Sequence, residues 1–154
     1  LILDLLYCSW SYMATPYQIV YDRALQKCTY YDLVALPDVE LTEMLHSWLL
    51  SAIAKFRQCK HDLKDRDDEL AQFNSDLDDE EIEILAIMIV REWLQPQLRS
   101  SLLTRQVFSD KESSFFSQAA HLKELMDMDN SLKIEAQKLM RDMTYQSTND
   151  YFSD

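Results

Sequence analysis

The chain has 154 residues, about the size of one domain, and 47% of them are apolar, enough for a buried core. It contains no glycine, which excludes phosphate-binding loops, dinucleotide-binding fingerprints and EF-hand calcium loops, because each needs glycine where the backbone turns sharply or approaches a ligand. A net charge of −12 argues against binding to duplex DNA or to anionic membranes, since both require basic side chains. Tight β-hairpins also rely on glycine, so the composition predicts an all-α fold.

A hydroxyl residue followed by proline, Thr15-Pro16, is typical of a helix start. We expect a short helix over about 16–28 and an N-terminal extension over residues 1–15. Met13, inside that extension, resembles an ordinary translation start.

A second amphipathic helix is predicted after Pro37. Asp38 is expected to cap it, and the helix is expected to extend over about 39–60. Its apolar residues recur at spacings of three and four, the pattern of a helix with one buried face: Leu41, Leu45, Trp48, Leu49, Ala52, Ile53 and Phe56.

Most of the negative charge lies in one segment. Residues 62–83 contain eleven acidic and two basic residues, a net charge of −9, so the rest of the chain carries only −3. We expect residues 61–77 to form a charged loop with one helical stretch near Asp67–Phe73. The ordinary role of such a segment is a solvated loop whose acids cap helices. Binding of divalent cations is the alternative, but the segment lacks the glycine-bearing loop that diagnostic sites use.

The most apolar helix follows this segment. Asp78 is expected to cap it, and the acids of its first turn complement the positive end of the helix dipole. From Ile82 to Val90 nearly every residue is apolar, which is typical of a helix buried on all sides. We therefore predict a buried central helix over about 78–95, which Pro96 ends or kinks.

The C-terminal part is predicted to form a short helix over 101–108 and a long helix over about 114–143, because apolar residues recur along one face. An interruption is expected at 127–131. Residues 16–143 then form a single helical domain, a helical bundle around the central helix. The polar residues 144–154 are expected to be a tail that frays unless a partner binds it.

Residue types used in enzymes and metal sites occur here without the spacing that such sites need. Glu43 and His46 lie one helical turn apart, but a bundle metal site uses two such pairs and two further glutamates, so an exposed ion pair is expected. Cys59 and His61 are the closest thiol and imidazole, and no nucleophile motif surrounds them. The three cysteines lack CxxC spacing and predict free thiols. We predict no catalytic residue, no metal, no cofactor and no enzymatic activity.

Several runs of sequence occur together between residues 40 and 140: SAIAKF, the charged DLKDRDDE, FNSDL, EIEILAIMIVREWLQPQL and FFSQAAHLKELMDM. Together they resemble a family of small helical proteins of tailed bacteriophages, the head–tail connector or neck adaptor (head completion) proteins. The resemblance extends over whole segments and contains no catalytic motif.

This resemblance implies a structural virion protein, made in the host cytoplasm and located in the virion neck. Such adaptors form homo-oligomeric rings, commonly of about twelve copies, between the portal protein and the next neck or tail protein. DNA passes through the ring without specific binding, and no membrane is involved. Aromatic residues toward the C-terminus are candidate partner or ring contacts: Phe115, Phe116, Tyr145, Tyr151 and Phe152. Six acids are candidate channel-facing residues: Asp62, Asp65, Asp67, Asp68, Glu69 and Asp76.

A helical protein-interaction or regulatory module without catalytic activity is the alternative interpretation. Such a module would bind a protein partner through an amphipathic groove and would be a monomer or dimer in solution. The size of the assembly and its association with virions discriminate between the two interpretations.

Overall fold

The computed structural model describes residues 14–28, 36–107 and 112–151, with side chains described for 14–28, 36–101 and 119–146. Four helices make up most of this part of the chain: α1 (Tyr17–Lys27), α2 (Asp38–Lys55), α3 (Asp79–Val107) and α4 (Glu112–Tyr151). The prediction of a largely helical fold is confirmed.

The prediction of an all-α fold is wrong in one respect, because a small antiparallel sheet joins the start of α1 to the segment between α2 and α3. Its three two-residue strands are ordered β1-β3-β2, with the bounds β1 (Thr15–Pro16), β2 (Arg66–Asp67) and β3 (Gln72–Phe73). Phe73 is paired with Thr15 on one side and with Arg66 on the other. The stretch predicted to be helical is therefore a β-hairpin.

This hairpin forms without glycine because Ala71 takes the left-handed backbone conformation. Its φ of 52° lies in a region that costs a residue with a Cβ about 1–2 kcal/mol. The Ala71 carbonyl oxygen accepts a hydrogen bond from the Tyr17 N–H at 2.8 Å. Two residues later, Phe73 is completely buried. These long-range contacts hold a turn that the composition disfavours.

Helix α2 differs from the prediction at both ends. Pro37 occupies the N-cap position and Asp38 is the first helical residue, so no side chain caps the helix. The helix ends at Lys55 rather than near residue 60, because the backbone then turns toward the start of α3. The predicted apolar face is buried at Leu45, Leu49 and Ala52.

Helix α3 is the centre of the core, as the apolar run predicted. All residues from Ile84 to Val90 are buried, and α1, α2 and α4 each pack against α3. Near its start, Glu83 forms ion pairs with Arg23 and Lys27 of α1. Packing against three helices removes the apolar side chains of α3 from water on all sides, as a helix without a polar face requires.

Pro96 does not end α3, which continues to Val107 and includes the segment predicted to be a separate short helix. A proline removes one backbone donor from a helix, and neighbouring contacts determine whether the helix continues. Here Arg91 pairs with Asp129 and Glu92 pairs with Lys55 in the turn before the proline. These two ion pairs hold α3 to α4 and to α2 at that point.

Helices α3 and α4 form an antiparallel pair. Arg91 Nε lies 2.9 Å from Asp129 Oδ1, and the two residues lie at similar distances along the chain from the connection between the helices. The predicted interruption at 127–131 does not occur, since the helix is continuous through these residues. The ion pair with Arg91 holds this part of α4 against α3. Helix α4 also continues past the predicted end at 143 to Tyr151.

Replacing Ala71 by glycine is expected to stabilise the protein. Glycine adopts a positive φ without a Cβ clash, so A71G should raise the free energy of unfolding by about 1 kcal/mol. Urea denaturation followed by far-UV circular dichroism measures this change. The matched control is A120G at an exposed position within α4, which should lower the free energy of unfolding by about 1 kcal/mol. A destabilising A71G would contradict the strain assigned to this turn.

Candidate functional site

Residues 57–78, here called the acidic hairpin, contain all six acids that the sequence suggested as channel-facing. Five of their side chains are exposed and that of Asp67 is half-buried; the exposed acids are Asp62, Asp65, Asp68, Glu69 and Asp76. They all belong to the segment between α2 and α3. Their orientation toward a DNA channel stays a prediction.

Several of these carboxylates also hold the turns of the acidic hairpin, a role that the sequence pattern did not indicate. Asp67 Oδ1 accepts hydrogen bonds from the backbone N–H groups of Glu69 and Leu70, both at 3.0 Å. Asp65 Oδ1 accepts one from the Asn74 side chain at 2.7 Å. Aspartate is favoured in turns for this reason, so the frequency of aspartate in this segment was a signal for tight turns.

The base of the acidic hairpin is fixed by one buried carboxylate, that of Glu81 in the first turn of α3. Its side chain has no exposed surface. Glu81 Oε1 accepts hydrogen bonds from the N–H groups of Lys60 and His61 at 3.0 and 3.1 Å and from the Cys59 thiol at 3.0 Å. Oε2 accepts one from the Asp78 N–H at 2.9 Å and lies 2.7 Å from His61 Nδ1. We call these residues the Glu81 cluster.

The charge of Glu81 is retained in this cluster. Burial alone raises the pKa of the carboxyl, but hydrogen bonds from Cys59, Asp78 and His61 outweigh burial and hold the pKa below its usual value of 4.5. The contact between Glu81 and the Asp78 N–H is one half of a capping box at the start of α3. Protein donors thus replace the water that a buried carboxylate needs.

Cys59 and His61 meet at this carboxylate, although the sequence indicated no chemistry for them. The chain leaves α2 at Lys55, so the helical geometry that separates near neighbours does not apply to them. Burial, followed by the hydrogen bond to Glu81, raises the pKa of the Cys59 thiol to about 12. A protonated thiol is a weak nucleophile. The pair therefore supports a buried charge, and the geometry does not activate the sulfur.

A cleft of about 460 Å³ lies beside the acidic hairpin, between α1 and the start of α2. The Tyr17 ring packs edge-on against Phe73 at a centroid distance of 4.9 Å and lies 5.7 Å from the His46 ring. The Tyr17 hydroxyl donates a hydrogen bond to Asp68 at 2.7 Å. Because three carboxylates line this space, we call it the carboxylate-rimmed cleft: Asp38, Glu43 and Asp68.

The sequence pattern did not indicate this cleft. It predicted an ion pair between Glu43 and His46, but none forms, and His46 Nδ1 instead lies 3.3 Å from the Tyr21 hydroxyl. Tyr21 and His46 belong to different helices, and Tyr17 and Asp68 are still farther apart in the chain. Spacing within one helix carries no information about contacts between helices. The one local signal for the cleft was that Tyr17 and Tyr21 lie one helical turn apart and so share a face of α1.

Of the five aromatic residues predicted to contact partners, the structure describes the side chain of one. Tyr145 lies on α4 and is 64% exposed. The side chains of the other four lie outside the described residues: Phe115, Phe116, Tyr151 and Phe152.

No protein-family model, curated protein or solved structure matches this chain. Among the residues that the structure describes, no three His, Cys, Asp or Glu side chains are grouped so that they could hold a metal ion. Within the same residues, no helix has both the length and the apolar content that crossing a bilayer requires.

The substitution Glu81→Gln is expected to lower the free energy of unfolding by about 3 kcal/mol at pH 7. The glutamine side chain places an NH₂ group, which can only donate, opposite protein groups that also donate hydrogen bonds. The pKa of Glu81 is lower in the folded than in the unfolded state. Its stabilising contribution is therefore present above the unfolded value of 4.5 and is lost as pH falls through the folded pKa. Urea denaturation of the wild-type protein and of Glu81→Gln between pH 7 and about pH 3 measures this effect. The difference between their free energies of unfolding should shrink as the pH falls.

Two controls accompany this measurement. Glu80→Gln, at the half-exposed neighbouring position, should change the free energy of unfolding by less than about 0.5 kcal/mol. Cys59→Ser keeps a donor for the carboxylate, whereas Cys59→Ala leaves it one donor short and should cost about 1–2 kcal/mol more. Equal effects of the Glu80 and Glu81 substitutions would contradict the role assigned to the cluster.

Proposed function

We propose that the chain is a structural virion protein of a tailed bacteriophage, a head–tail connector or neck adaptor. Subunits form a ring of about a dozen copies between the portal and the next neck or tail protein, and the genome passes through the ring. The family is proposed from the segments between residues 40 and 140 that resemble it. The acidic hairpin is the structural feature that carries the proposal.

An exposed, firmly held carboxylate surface suits a passage for DNA. Phosphates gain no counterion release on meeting carboxylates, and like charges repel, so DNA passes without adhering. The Glu81 cluster holds the base of the acidic hairpin and the aspartates hold its turns. Glu69 and Asp76 are the residues most available to face DNA, because both are exposed and their carboxylates accept no hydrogen bond from a described group.

Helix α4 supports the second part of the proposal, the contact between subunits. Apart from its packing on α3, the helix exposes three large apolar side chains among those described over 119–146: Met126 at 48%, Ile134 at 66% and Tyr145 at 64%. Exposed apolar residues along one element favour contact with another protein surface. Tyr145 is also among the residues that the sequence suggested as ring contacts.

Mass spectrometry of purified virions, and of necks isolated from them, tests the proposal. About a dozen copies of this chain per particle, co-purifying with portal protein, are expected. A particle preparation that contains portal protein but none of this chain would overturn the connector proposal.

Charge reversal in the acidic hairpin tests the proposed channel surface. Particles that carry Glu69→Lys together with Asp76→Lys should release their genome at least about threefold more slowly at low salt, because lysines attract phosphates. The control reverses two exposed acids of α4, Glu124→Lys and Glu135→Lys. Dye fluorescence measures release after both variants are shown to have the wild-type copy number. Unchanged release from the hairpin variant would contradict a channel-facing position.

A protein-interaction module without catalytic activity is the second candidate, and the carboxylate-rimmed cleft favours it. An apolar floor with charged groups at the rim is the usual form of a recognition site. Absence from virions, combined with a protein partner whose binding is lost in Glu43→Gln, would support this candidate over the connector.

A further inference from the structure

Two separate surfaces combine unpaired charges with the most exposed apolar side chains of the described residues. The carboxylate-rimmed cleft is lined by Val39, which is 70% exposed, and by Ala71, whose neighbour in the chain, Leu70, is 66% exposed. The second surface lies on α4, with Ile134 and Tyr145 at its ends, 66% and 64% exposed. Its members are spaced by four, three and four residues and therefore share one helix face. We call it the basic stripe: Ile134, Lys138, Arg141 and Tyr145.

Asp68 of the cleft is paired with Arg66, whereas the other two carboxylates of the cleft and both cations of the stripe have no ion-pair partner within the described part of the chain. Asp38 and Glu43 in the cleft form no ion pair with a described side chain, and neither do Lys138 and Arg141 in the stripe. By contrast, Arg91, where α3 packs on α4, is paired. The cleft thus offers two unpaired carboxylates beside apolar side chains, and the stripe offers two unpaired cations beside apolar side chains.

We infer that the carboxylate-rimmed cleft binds the basic stripe of a second copy of this chain. Opposite charges would pair across the contact, while Val39 and Leu70 would pack against the apolar ends of the stripe. Two copies with a net charge of −12 each repel one another overall, so this local complementarity selects the orientation in which they meet.

The contact joins two different surfaces. In a pair of subunits, therefore, one copy keeps a free stripe and the other keeps a free cleft, and each can bind a further subunit. A contact of this kind repeats head to tail and closes into a ring when the rotation allows. The inference deepens the proposed function, on which the closure of the ring rests, by assigning the surfaces that join neighbouring subunits.

Neutralising either surface should weaken self-association of the full chain about tenfold at low salt, because each change removes two charge pairs. The variants are Asp38→Asn with Glu43→Gln for the cleft, and Lys138→Gln with Arg141→Gln for the stripe. Sedimentation equilibrium measures association, and thermal unfolding by circular dichroism establishes that each variant is folded.

Matched controls remove the same charges elsewhere. Arg99→Gln with Lys133→Gln neutralises two exposed cations outside the stripe, and Glu40→Gln with Glu124→Gln neutralises two exposed acids outside the cleft. Both controls should stay within about twofold of wild type. A control that weakens association as much as the neutralised surfaces do would overturn the inference, as would a wild-type chain that stays monomeric at about 1 mM.

Mixing the two neutralised variants tests whether the surfaces bind each other. One variant keeps an intact cleft and the other an intact stripe, so an equimolar mixture should form 1:1 dimers and no larger assembly. No dimer in the mixture would overturn the inference.

The two proposals fail separately. Absence of the chain from virions would overturn the connector function, whereas virions that assemble normally with both surfaces neutralised would overturn only this contact.

Discussion

The carboxylate of Glu81 has no exposed surface and yet stays ionised, because five donors of the chain surround it. Moving an isolated carboxylate out of water costs several kcal/mol. The donors offset this cost only if the segment after α2 and the start of α3 hold their positions together. The end of α2, the base of the acidic hairpin and the first turn of α3 therefore depend on one another through a single side chain.

The second strand of the acidic hairpin and the residues that follow it are held by the first residues of the described chain. Thr15 Oγ1 donates a hydrogen bond to the Ser75 carbonyl oxygen at 3.1 Å and accepts one from the Leu77 N–H at 2.8 Å. The Tyr17 N–H meets the Ala71 carbonyl. These contacts bring the acidic hairpin against α1 and so create the carboxylate-rimmed cleft. The cleft is a consequence of where the hairpin docks.

Charge is unevenly distributed over the described surface of this molecule. The acidic hairpin presents exposed carboxylates whose neighbours in the chain are also acidic. A surface of this kind repels a polyanion. The cleft beside it combines carboxylates with apolar surface, and the basic stripe lies on α4. If the cleft binds the stripe of a second copy, as proposed, the contact is heterologous, and heterologous contacts build rings or filaments.

The amino-acid sequence by itself determined the helical character, the central position of α3 and the location of the acidic surface. Each of these follows from local composition: a run without polar residues from Ile84 to Val90 must be buried, and a run of carboxylates must be solvated. Periodicity also placed the buried face of α2 correctly. Exposure of five of the six acids in the hairpin could be expected for the same reason, but the use of several of them in holding turns could not.

Only the tertiary structure decided the hairpin, the continuation of α3 through Pro96, the Glu81 cluster and the cleft. Ala71 takes a positive φ because contacts with Tyr17 and the burial of Phe73 outweigh a local cost of about 1–2 kcal/mol. In the sequence Glu81 is one acid among eleven, and four of its five donors lie some twenty residues earlier in the chain. Local patterns report local preferences, whereas these features are set by contacts between segments that meet only in the folded chain, where burial changes which preference prevails.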